Sequence, residues 1–361
     1  MERILHIVGS VEKAGIETFL MNLYRRIDTD KYQFDFAIYN APSDTSYRDE
    51  IVQRGGKIFL LPKKADGIID NYRAIKSVVS QNHYNIVWRS TDSCVGGIDL
   101  LAACLGGAKV RILHSHSSSV FGKMRYAHKA LRPVCNELAT IRFACGDKAG
   151  RWMFGNKGFT IIPNCIDTDS FKYNYSIRDK LRNEYGLTDK VVIGHVGRFD
   201  KVKNHLFLIK LFAEYSKEYD DSALVLIGVG DTEDQCRQLV KEYGKEDKVL
   251  FLGVRSDISD LLQMIDVMVM PSFYEGFPVT MIEAQASGLP IIASTGVSKE
   301  TDIYGLVKYI SLESDLQQWI EEIHGMIGKR DKQGYKKVYD AGFDVNQVVK
   351  RIEEALHRSR S

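Results

Sequence analysis

Residues 270–284 read MPSFYEGFPVTMIEA, an apolar strand followed by a turn rich in Gly and Pro and then by a helix. Pro278 suits the first helical turn, where its missing N–H would have no partner in any case. The backbone N–H groups of Val279 and Thr280 are therefore free, and together with the helix dipole they favour an anion such as a phosphate.

Two carboxylates flank this helix start. Glu275 precedes it in the turn, and Glu283 lies about one turn into the helix. Ligands of doubly wound sheets bind outside the carboxyl ends of the strands. The two carboxylates are therefore suited to holding sugar hydroxyls on either side of a diphosphate. The alternative is that one or both are solvated surface acids.

A loop with cations follows another apolar strand, where residues 196–204 read VGRFDKVKN. Gly197 allows close approach to the backbone. The guanidinium of Arg198 and the ammonium of Lys203 can together neutralise a diphosphate. Taken alone, the segment also fits a helix-start turn with solvated cations.

Two more strand ends carry weaker signals. Residues 226–231, LIGVGD, lack the third glycine of a dinucleotide fingerprint, so they argue little for NAD. Residues 251–255, FLGVR, end a strand whose last backbone groups, at Val254 and Arg255, either meet a nucleobase or form a plain loop.

Residues 114–117 read HSHS at a strand end, so His114 and His116 share one face. They are either structural or placed so that one points into a cleft, and a zinc site would need a third ligand that the neighbouring sequence lacks. Asp-Thr-Asp occurs at 28–30 and 167–169, where turn and cap roles fit better than metal binding. We expect no metal cofactor.

The composition is that of a soluble globular protein of two domains. The 361 residues include 49 Lys and Arg against 47 Asp and Glu, and 44% are hydrophobic. These values exclude collagen, a disordered chain and a disulfide scaffold, and no apolar run approaches the roughly 18 residues that cross a bilayer. The first residues read as a strand rather than a signal peptide, and six cysteines without a C-x-x-C pair fit buried thiols in the cytoplasm.

Short apolar runs alternate with amphipathic segments, which predicts an α/β protein of two doubly wound parallel sheets. We place the domains at 1–165 and 166–344, because the stretch after residue 165 is polar and irregular, and expect a terminal helix over 345–361 that can pack back on the first domain. A helix over 124–139 is expected to be interrupted at Pro133. The expected strands are residues 3–10, 34–40, 57–62, 85–90, 110–117, 140–146, 159–164, 191–197, 223–228, 249–253, 266–271 and 290–293.

The net charge of +2 hides an asymmetry. Residues 1–165 hold 23 Lys and Arg against 15 Asp and Glu, and residues 123–157 concentrate the excess. A basic half suggests an anionic partner, either a phosphate-bearing substrate or a membrane surface. Apolar and aromatic residues beside these cations suit peripheral contact with anionic lipid, and the alternative is a solvated helix face with an apolar core side.

These motifs together resemble the retaining GT-B glycosyltransferases of family 4, the glycosyl transferases group 1. Glu275 and Glu283 look like the E-x7-E signature of that family, and residues 162–167, IPNCID, look like its interdomain element with Cys165 where glycine is usual. VGR and KN within 196–204 fit as well, and the motifs arrive in family order along nearly the whole chain.

The first part of the chain carries one departure from the family pattern. Residues 14–17, AGIE, look like the family's GGxE with Ala14 in the first place. The likeness is greatest to transferases of bacterial capsule and exopolysaccharide assembly, whose fifth strand often ends in HSH. The resemblance implies two Rossmann-like domains that face each other across a cleft, with the acceptor on the first and the donor on the second.

The resemblance also implies a role for each matching residue. His116 would approach the donor sugar from the opposite domain, Arg198 and Lys203 would bind the donor diphosphate, and Glu283 would meet the ribose. The implied catalytic residues are Glu275, His116, Arg198 and Lys203. The implied donor-binding residues are Gly15, Arg198, Lys203, Val254, Arg255, Glu275, Gly276, Phe277, Val279, Thr280 and Glu283.

The implied activity is retaining transfer of a hexosyl or N-acetylhexosaminyl group from a nucleotide sugar, with UDP as the expected nucleotide, to a glycan or undecaprenyl-linked acceptor. Arg198, Lys203 and the helix start would stabilise the leaving group as fixed charge in place of a metal ion. We expect a cytoplasmic protein, with peripheral contact to the inner face of the plasma membrane and no nucleic-acid partner. The alternatives are a UDP-sugar 2-epimerase of the same architecture and a non-catalytic nucleotide-sugar-binding subunit of a transferase complex.

Overall fold

Strands and helices alternate in two separate units of the chain. The computed structural model describes residues 1–12, 15–44, 46–120 and 122–359. One unit comprises Met1–Cys165 with the segment that begins at Val345, and the other comprises Ile166–Asp344. Each unit holds one parallel sheet with helices, so the predicted α/β class is confirmed.

The described part of the first unit contains seven strands and, before Cys165, seven helices. The strands are β1 (Glu2–Val8), β2 (Tyr32–Ile38), β3 (Ile58–Leu60), β4 (Ile86–Thr91), β5 (Val110–Ser115), β6 (Ile141–Ala144) and β7 (Thr160–Ile161). The sheet order is β3-β2-β1-β4-β5-β6-β7, so the chain winds outward in both directions from between β1 and β4. The helices are α1 (Gly15–Tyr24), α2 (Arg48–Gln53), α3 (Ile68–Gln81), α4 (Cys94–Gly97), α5 (Asp99–Leu105), α6 (Met124–Leu138) and α7 (Asp147–Phe154).

Alternate residues of β1 enter two separate cores. Ile4 and Val8 pack on one face of the sheet, whereas Leu5 and Ile7 pack on the other. Burial on both faces is the reason why the strands read as near-continuous apolar runs. His6 shares the face of Ile4 and Val8, and burial lowers the pKa of its imidazole to about 3.

The second unit repeats this arrangement within its own limits. Its strands are β8 (Val191–Val196), β9 (Ser222–Ile227), β10 (Val249–Phe251), β11 (Val267–Met270), β12 (Ile291–Ser294) and β13 (Val307–Ile310), in the order β10-β9-β8-β11-β12-β13. Short 3-10 helices span Thr168–Phe171 and Lys299–Thr301. The α-helices are α8 (Tyr175–Glu184), α9 (His205–Glu218), α10 (Glu233–Glu242), α11 (Ile258–Met264), α12 (Val279–Ala286), α13 (Leu316–Met326) and α14 (Gly334–Asp340).

Helix α8 lies in the stretch that the sequence suggested was irregular. The Asn174 side chain caps it by accepting the backbone N–H of Ile177. Arg178 and Arg182, one turn apart, both pair with the carboxylate of Asp266. The polar composition therefore reflects ion pairs that attach α8 to the sheet rather than an absence of structure.

Helix α6 continues through Pro133, so the expected interruption is wrong. Proline removes the hydrogen bond to the carbonyl of Lys129, four residues earlier. Both Lys129 and Pro133 are exposed, and on the exposed side of a helix the loss of one hydrogen bond costs less than it would in the core.

The last helix, α15 (Val345–Arg358), belongs to the first unit. Val348, Ile352 and Leu356 recur every four residues and are buried in the core that also contains Phe19 of α1. The helix therefore packs on the N-terminal core. Across the described ranges, the helices fall short of the combined length and apolarity that a bilayer span requires.

Two glycines with the same left-handed backbone provide a test of this packing. Gly288 and Gly186 both have φ +66°, but a Cβ on Gly288 would lie 1.8 Å from the carbonyl oxygen of Asp331, whereas nothing lies within 4 Å of one on Gly186. Alanine at either site incurs about 1–2 kcal/mol of backbone strain. We predict that Gly288→Ala lowers the free energy of unfolding by more than about 3 kcal/mol in urea titrations, and Gly186→Ala by only the strain. Equal losses would contradict the close approach.

Candidate active site

The loop after β8 places the side chain of Lys203 beside Gly197, at the end of the strand. A Cβ on Gly197 would lie 3.0 Å from Nε2 of His195 and 3.4 Å, an ordinary contact distance, from Cδ and Cε of Lys203, so the lysine stem packs beside the glycine. The Lys203 backbone N–H donates to the Asp200 carboxylate at 3.0 Å. Asn204 then starts α9 with φ 58°, and its side chain donates to the Pro271 carbonyl at 3.2 Å. These contacts tie the β8 loop to the end of β11.

The turn after β11 places Glu275 beside that lysine. Nζ of Lys203 and Oε1 of Glu275 form an ion pair, and the two side chains are 17% and 15% exposed. The backbone of Glu275 forms a parallel bridge with Val297. Its N–H donates to the Gly296 carbonyl at 3.1 Å, and its carbonyl accepts from Ser298 N–H at 3.0 Å. The backbone of Glu275 is therefore held by a second loop, and the ion pair with Lys203 holds its carboxylate.

Arg198 is held much more loosely than Lys203. Its side chain is 67% exposed and approaches the carboxylate of Asp231 at 3.5 Å. An exposed ion pair of this kind contributes little free energy. Arg198 can therefore leave Asp231 for a stronger anionic partner.

Helix α12 begins at Val279, and the N-terminal end of the helix offers donors. Among the described residues, no acceptor pairs with the backbone N–H groups of Val279 and Thr280. The Thr280 hydroxyl is buried without a hydrogen-bond partner in the same described part of the chain. Free amides and an unpaired hydroxyl at a helix N-terminus suit a phosphate group.

Glu283 lies one turn further along α12. Burial raises the pKa of its carboxyl to about 7, and no cation among the described side chains pairs with it. Near neutral pH this group can therefore donate or accept a hydrogen bond. Either form can bind a hydroxyl.

The other predicted donor-binding residues differ in how they are held. Open space surrounds the position where Gly276 would carry a Cβ, whereas Phe277 packs partly into the core of the second unit. Val254 is 49% exposed. Arg255 pairs with the Asp257 carboxylate at 2.6 Å, which raises the pKa of its guanidinium.

His116 and Gly15 belong to the first unit, not to the unit that contains Lys203 and Glu275. The rings of His114 and His116 lie 4.0 Å apart. Burial lowers the pKa of His114 well below its usual range and that of His116 to about 3, so both are neutral at pH 7. Gly15 is exposed at the first residue of α1, and Ala14 lies outside the described residues.

Two features of the second unit escaped the sequence analysis. The loop after β12 fixes Glu275, and Gly296 is needed there because a Cβ would lie 2.2 Å from the Phe273 carbonyl oxygen. The signal for this loop is a glycine three residues after the predicted strand 290–293. The Ser272 hydroxyl is buried without a described partner.

Over the described ranges, no three His, Cys, Asp or Glu side chains gather as metal ligands.

Comparison with known proteins identifies the class to which this chain belongs. Residues 177–324 match the family model of glycosyl transferases group 1. A putative glycosyltransferase EpsF of Bacillus subtilis (strain 168) is 36% identical over 365 residues, which cover 96% of this chain and 94% of that protein. The chain belongs to the glycosyl transferases group 1 and is a glycosyltransferase related to those of polysaccharide biosynthesis.

One further sequence relative and one solved structure are also similar to this chain. The UDP-Gal:alpha-D-GlcNAc-diphosphoundecaprenol alpha-1,3-galactosyltransferase of Escherichia coli is 33% identical over 315 residues, 81% of this chain and 79% of that protein. The crystal structure of Anabaena Alr3699/HepE in complex with UDP superposes with a TM-score of 0.79 at 19% identity and covers 99% of this chain and 100% of that one. The expected GT-B fold is confirmed.

The raised pKa of Glu283 makes stability depend on pH. The folded chain keeps this proton to about pH 7, whereas the unfolded chain loses it near its ordinary value of 4.5. Ionisation therefore favours unfolding, and the stability present below pH 4.5 is lost as the pH rises to about 7. We predict that Glu283→Gln raises the free energy of unfolding by about 1–3 kcal/mol at pH 8 and leaves it unchanged at pH 4.5. A pH-independent difference in urea titrations would contradict this.

Proposed function

We propose that this glycosyltransferase moves a hexosyl or N-acetylhexosaminyl group from a UDP-sugar to a glycan or undecaprenyl-linked acceptor, with retention and without a metal ion. The observation that carries the proposal is the Lys203–Glu275 ion pair beside the open start of α12. An ammonium and free helix amides suit a diphosphate, and the adjacent carboxylate suits a sugar hydroxyl. The name of the Escherichia coli relative, with its UDP-Gal donor and diphosphoundecaprenol acceptor, supports the two substrate classes.

We assign each donor group to residues of the second unit. Lys203 and Arg198 bind the diphosphate, with Val279 and Thr280 donating their amides to it. Glu275 and the backbone of Gly276 and Phe277 hold the sugar. Glu283 binds a ribose hydroxyl, and the backbone at Val254 and Arg255 meets the base.

Gly15 and His116 keep the roles that the resemblance implies, near the phosphate and the donor sugar respectively. His116 is neutral at pH 7, because burial lowers its pKa to about 3. It therefore contributes a hydrogen bond to a sugar hydroxyl rather than a charge to the phosphate.

The reaction requires a diphosphate to leave with its charge stabilised. The bond between the anomeric carbon and the phosphate oxygen breaks, and its electron pair goes to UDP. The acceptor hydroxyl adds to the same face of the oxocarbenium-like sugar, and the departing phosphate takes the hydroxyl proton. Lys203, Arg198 and the α12 amides stabilise the charge that develops on UDP.

The acceptor chemistry makes peripheral membrane contact part of the proposal. Residues 123–157 are basic, and α6 exposes Met124, Tyr126 and Val134, at 46%, 66% and 45%. Cations mixed with exposed apolar side chains favour the interface of an anionic bilayer. A lipid-linked acceptor would be met at that interface, on the cytoplasmic face.

Substitution of the two cations tests the assigned roles. We predict that Lys203→Ala lowers kcat/KM about 100- to 1000-fold, because Lys203 is the more deeply buried of the two cations, and that Arg198→Ala lowers it about tenfold or more. Lys201→Ala is the matched control, an exposed lysine of the same loop, and changes the rate less than about twofold. UDP release is measured with the donor that a thermal-shift panel of UDP-, GDP- and ADP-sugars selects.

Near-normal turnover in both Lys203→Ala and Arg198→Ala, with folding intact, would refute the assignment. Donor incubated without acceptor separates transfer from 2-epimerisation, since only an epimerase then yields an altered sugar. Donor binding without transfer across a broad acceptor panel would identify a non-catalytic subunit.

Metal independence has its own test. Fixed cations need no exchangeable ion, so we predict that transfer in excess EDTA proceeds at more than about half of its rate with added Mg²⁺. Complete inhibition that Mg²⁺ reverses would point to a carboxylate-bound metal instead.

A further inference from the structure

A basic groove runs between α6 and α7 of the first unit, apart from the residues assigned to the donor. Two adjoining depressions of about 360 and 310 Å³ share Arg132 and Asn156 in their lining. Arg151 and Gly155 complete one depression, and Asn136 and Lys157 are among the residues that complete the other. These six residues define the α6–α7 groove, and Pro133 and the acidic Glu137 also line its larger depression.

The cations of the groove are available to an anion. No carboxylate among the described residues pairs with Arg132. Arg151 pairs with Asp147 at 2.7 Å and Lys157 with Glu137 at 3.5 Å, and both pairs are largely exposed. Exposed pairs contribute little free energy, so an anion can draw both cations away from their carboxylates.

The backbone of Gly155 and the buried amide of Asn136 form part of the lining of the groove. Gly155 has φ +63°, and a Cβ there would lie 3.4 Å from Cζ of Arg132, so the backbone passes directly beside the guanidinium. Asn136 is 6% exposed and donates to the Phe154 carbonyl at 3.2 Å. Its Oδ1 is buried with no hydrogen-bond partner in the described structure. The groove therefore offers guanidinium donors for a phosphate, and beside them one unpaired amide acceptor that suits a headgroup hydroxyl rather than the phosphate itself.

The polar and basic residues of the groove continue as a stripe along α6. Arg125, Lys129, Arg132 and Asn136 recur at i, i+4, i+7 and i+11, which places them on one stripe of the helix. Exposed Tyr126, Pro133 and Val134 lie beside this stripe on the solvent side. A soluble phosphate would use the cations alone, whereas a lipid surface uses the cations and the apolar side chains together.

We propose that the α6–α7 groove binds the phosphate of an anionic phospholipid headgroup. Arg132 forms the central two-donor contact with the phosphate oxygens, and Arg151 and Lys157 close over it. This proposal rests on the membrane contact proposed above and deepens it, because it turns a general charge attraction into a headgroup site.

The test compares groove and non-groove cations of the same helix. The full chain is sedimented with phosphatidylcholine vesicles with and without phosphatidylglycerol. Lys129→Gln, which removes one exposed charge outside the groove, is expected to lower the partition coefficient about fivefold. Arg132→Gln is expected to lower it about thirtyfold or more, because it also loses hydrogen bonds. Arg132→Lys keeps the charge without the fork and recovers less than half of that loss on a logarithmic scale.

Three results would overturn the proposal. Equal losses for Arg132→Gln and Lys129→Gln would show general electrostatic attraction only. A thermal shift with glycerol phosphate that Arg132→Gln abolishes, without a groove-specific loss on vesicles, would assign the groove to a soluble phosphate ester. Failure of the unaltered chain to bind the anionic vesicles would remove both the groove site and the membrane contact. UDP affinity, measured in parallel, is expected to be unchanged in all variants and reports separately on the donor site.

Discussion

The ion pair between Lys203 and Glu275 is the contact on which the proposed donor site depends. Both partners are more than four-fifths buried, so their interaction is stronger than that of a surface pair. The Asp200 carboxylate accepts the backbone N–H of the lysine, and the bridge to Val297 holds the backbone of the glutamate. In the absence of donor, Glu275 neutralises the lysine, and in the account proposed here the diphosphate takes over that charge.

Much of the architecture could be predicted because its signals are local. Apolar runs buried on both faces and regular helical spacers predict doubly wound parallel sheets from the sequence alone. The elements that escaped prediction depend on distant partners. Helix α8 is polar because Arg178 and Arg182 pair with Asp266, some eighty residues away. Helix α6 is a different case, since Pro133 lies on its exposed side, and exposure depends on packing.

The site shows the same division between local and distant information. Residue types at strand ends predict Lys203, Glu275 and the start of α12 as site residues, since the carboxyl ends of parallel strands meet at one edge. The sequence could not show that Lys203 is paired while Arg198 is exposed, because exposure depends on packing. Nor could it show the raised pKa of Glu283, whose cause is burial without a cation.

A crystal structure of the chain with bound UDP tests the central claim most directly. The account predicts that the phosphate oxygens lie within hydrogen-bonding distance of Nζ of Lys203 and of the Arg198 guanidinium, with Arg198 released from Asp231. Phosphates bound away from both side chains, with the Lys203–Glu275 pair unchanged, would contradict the account.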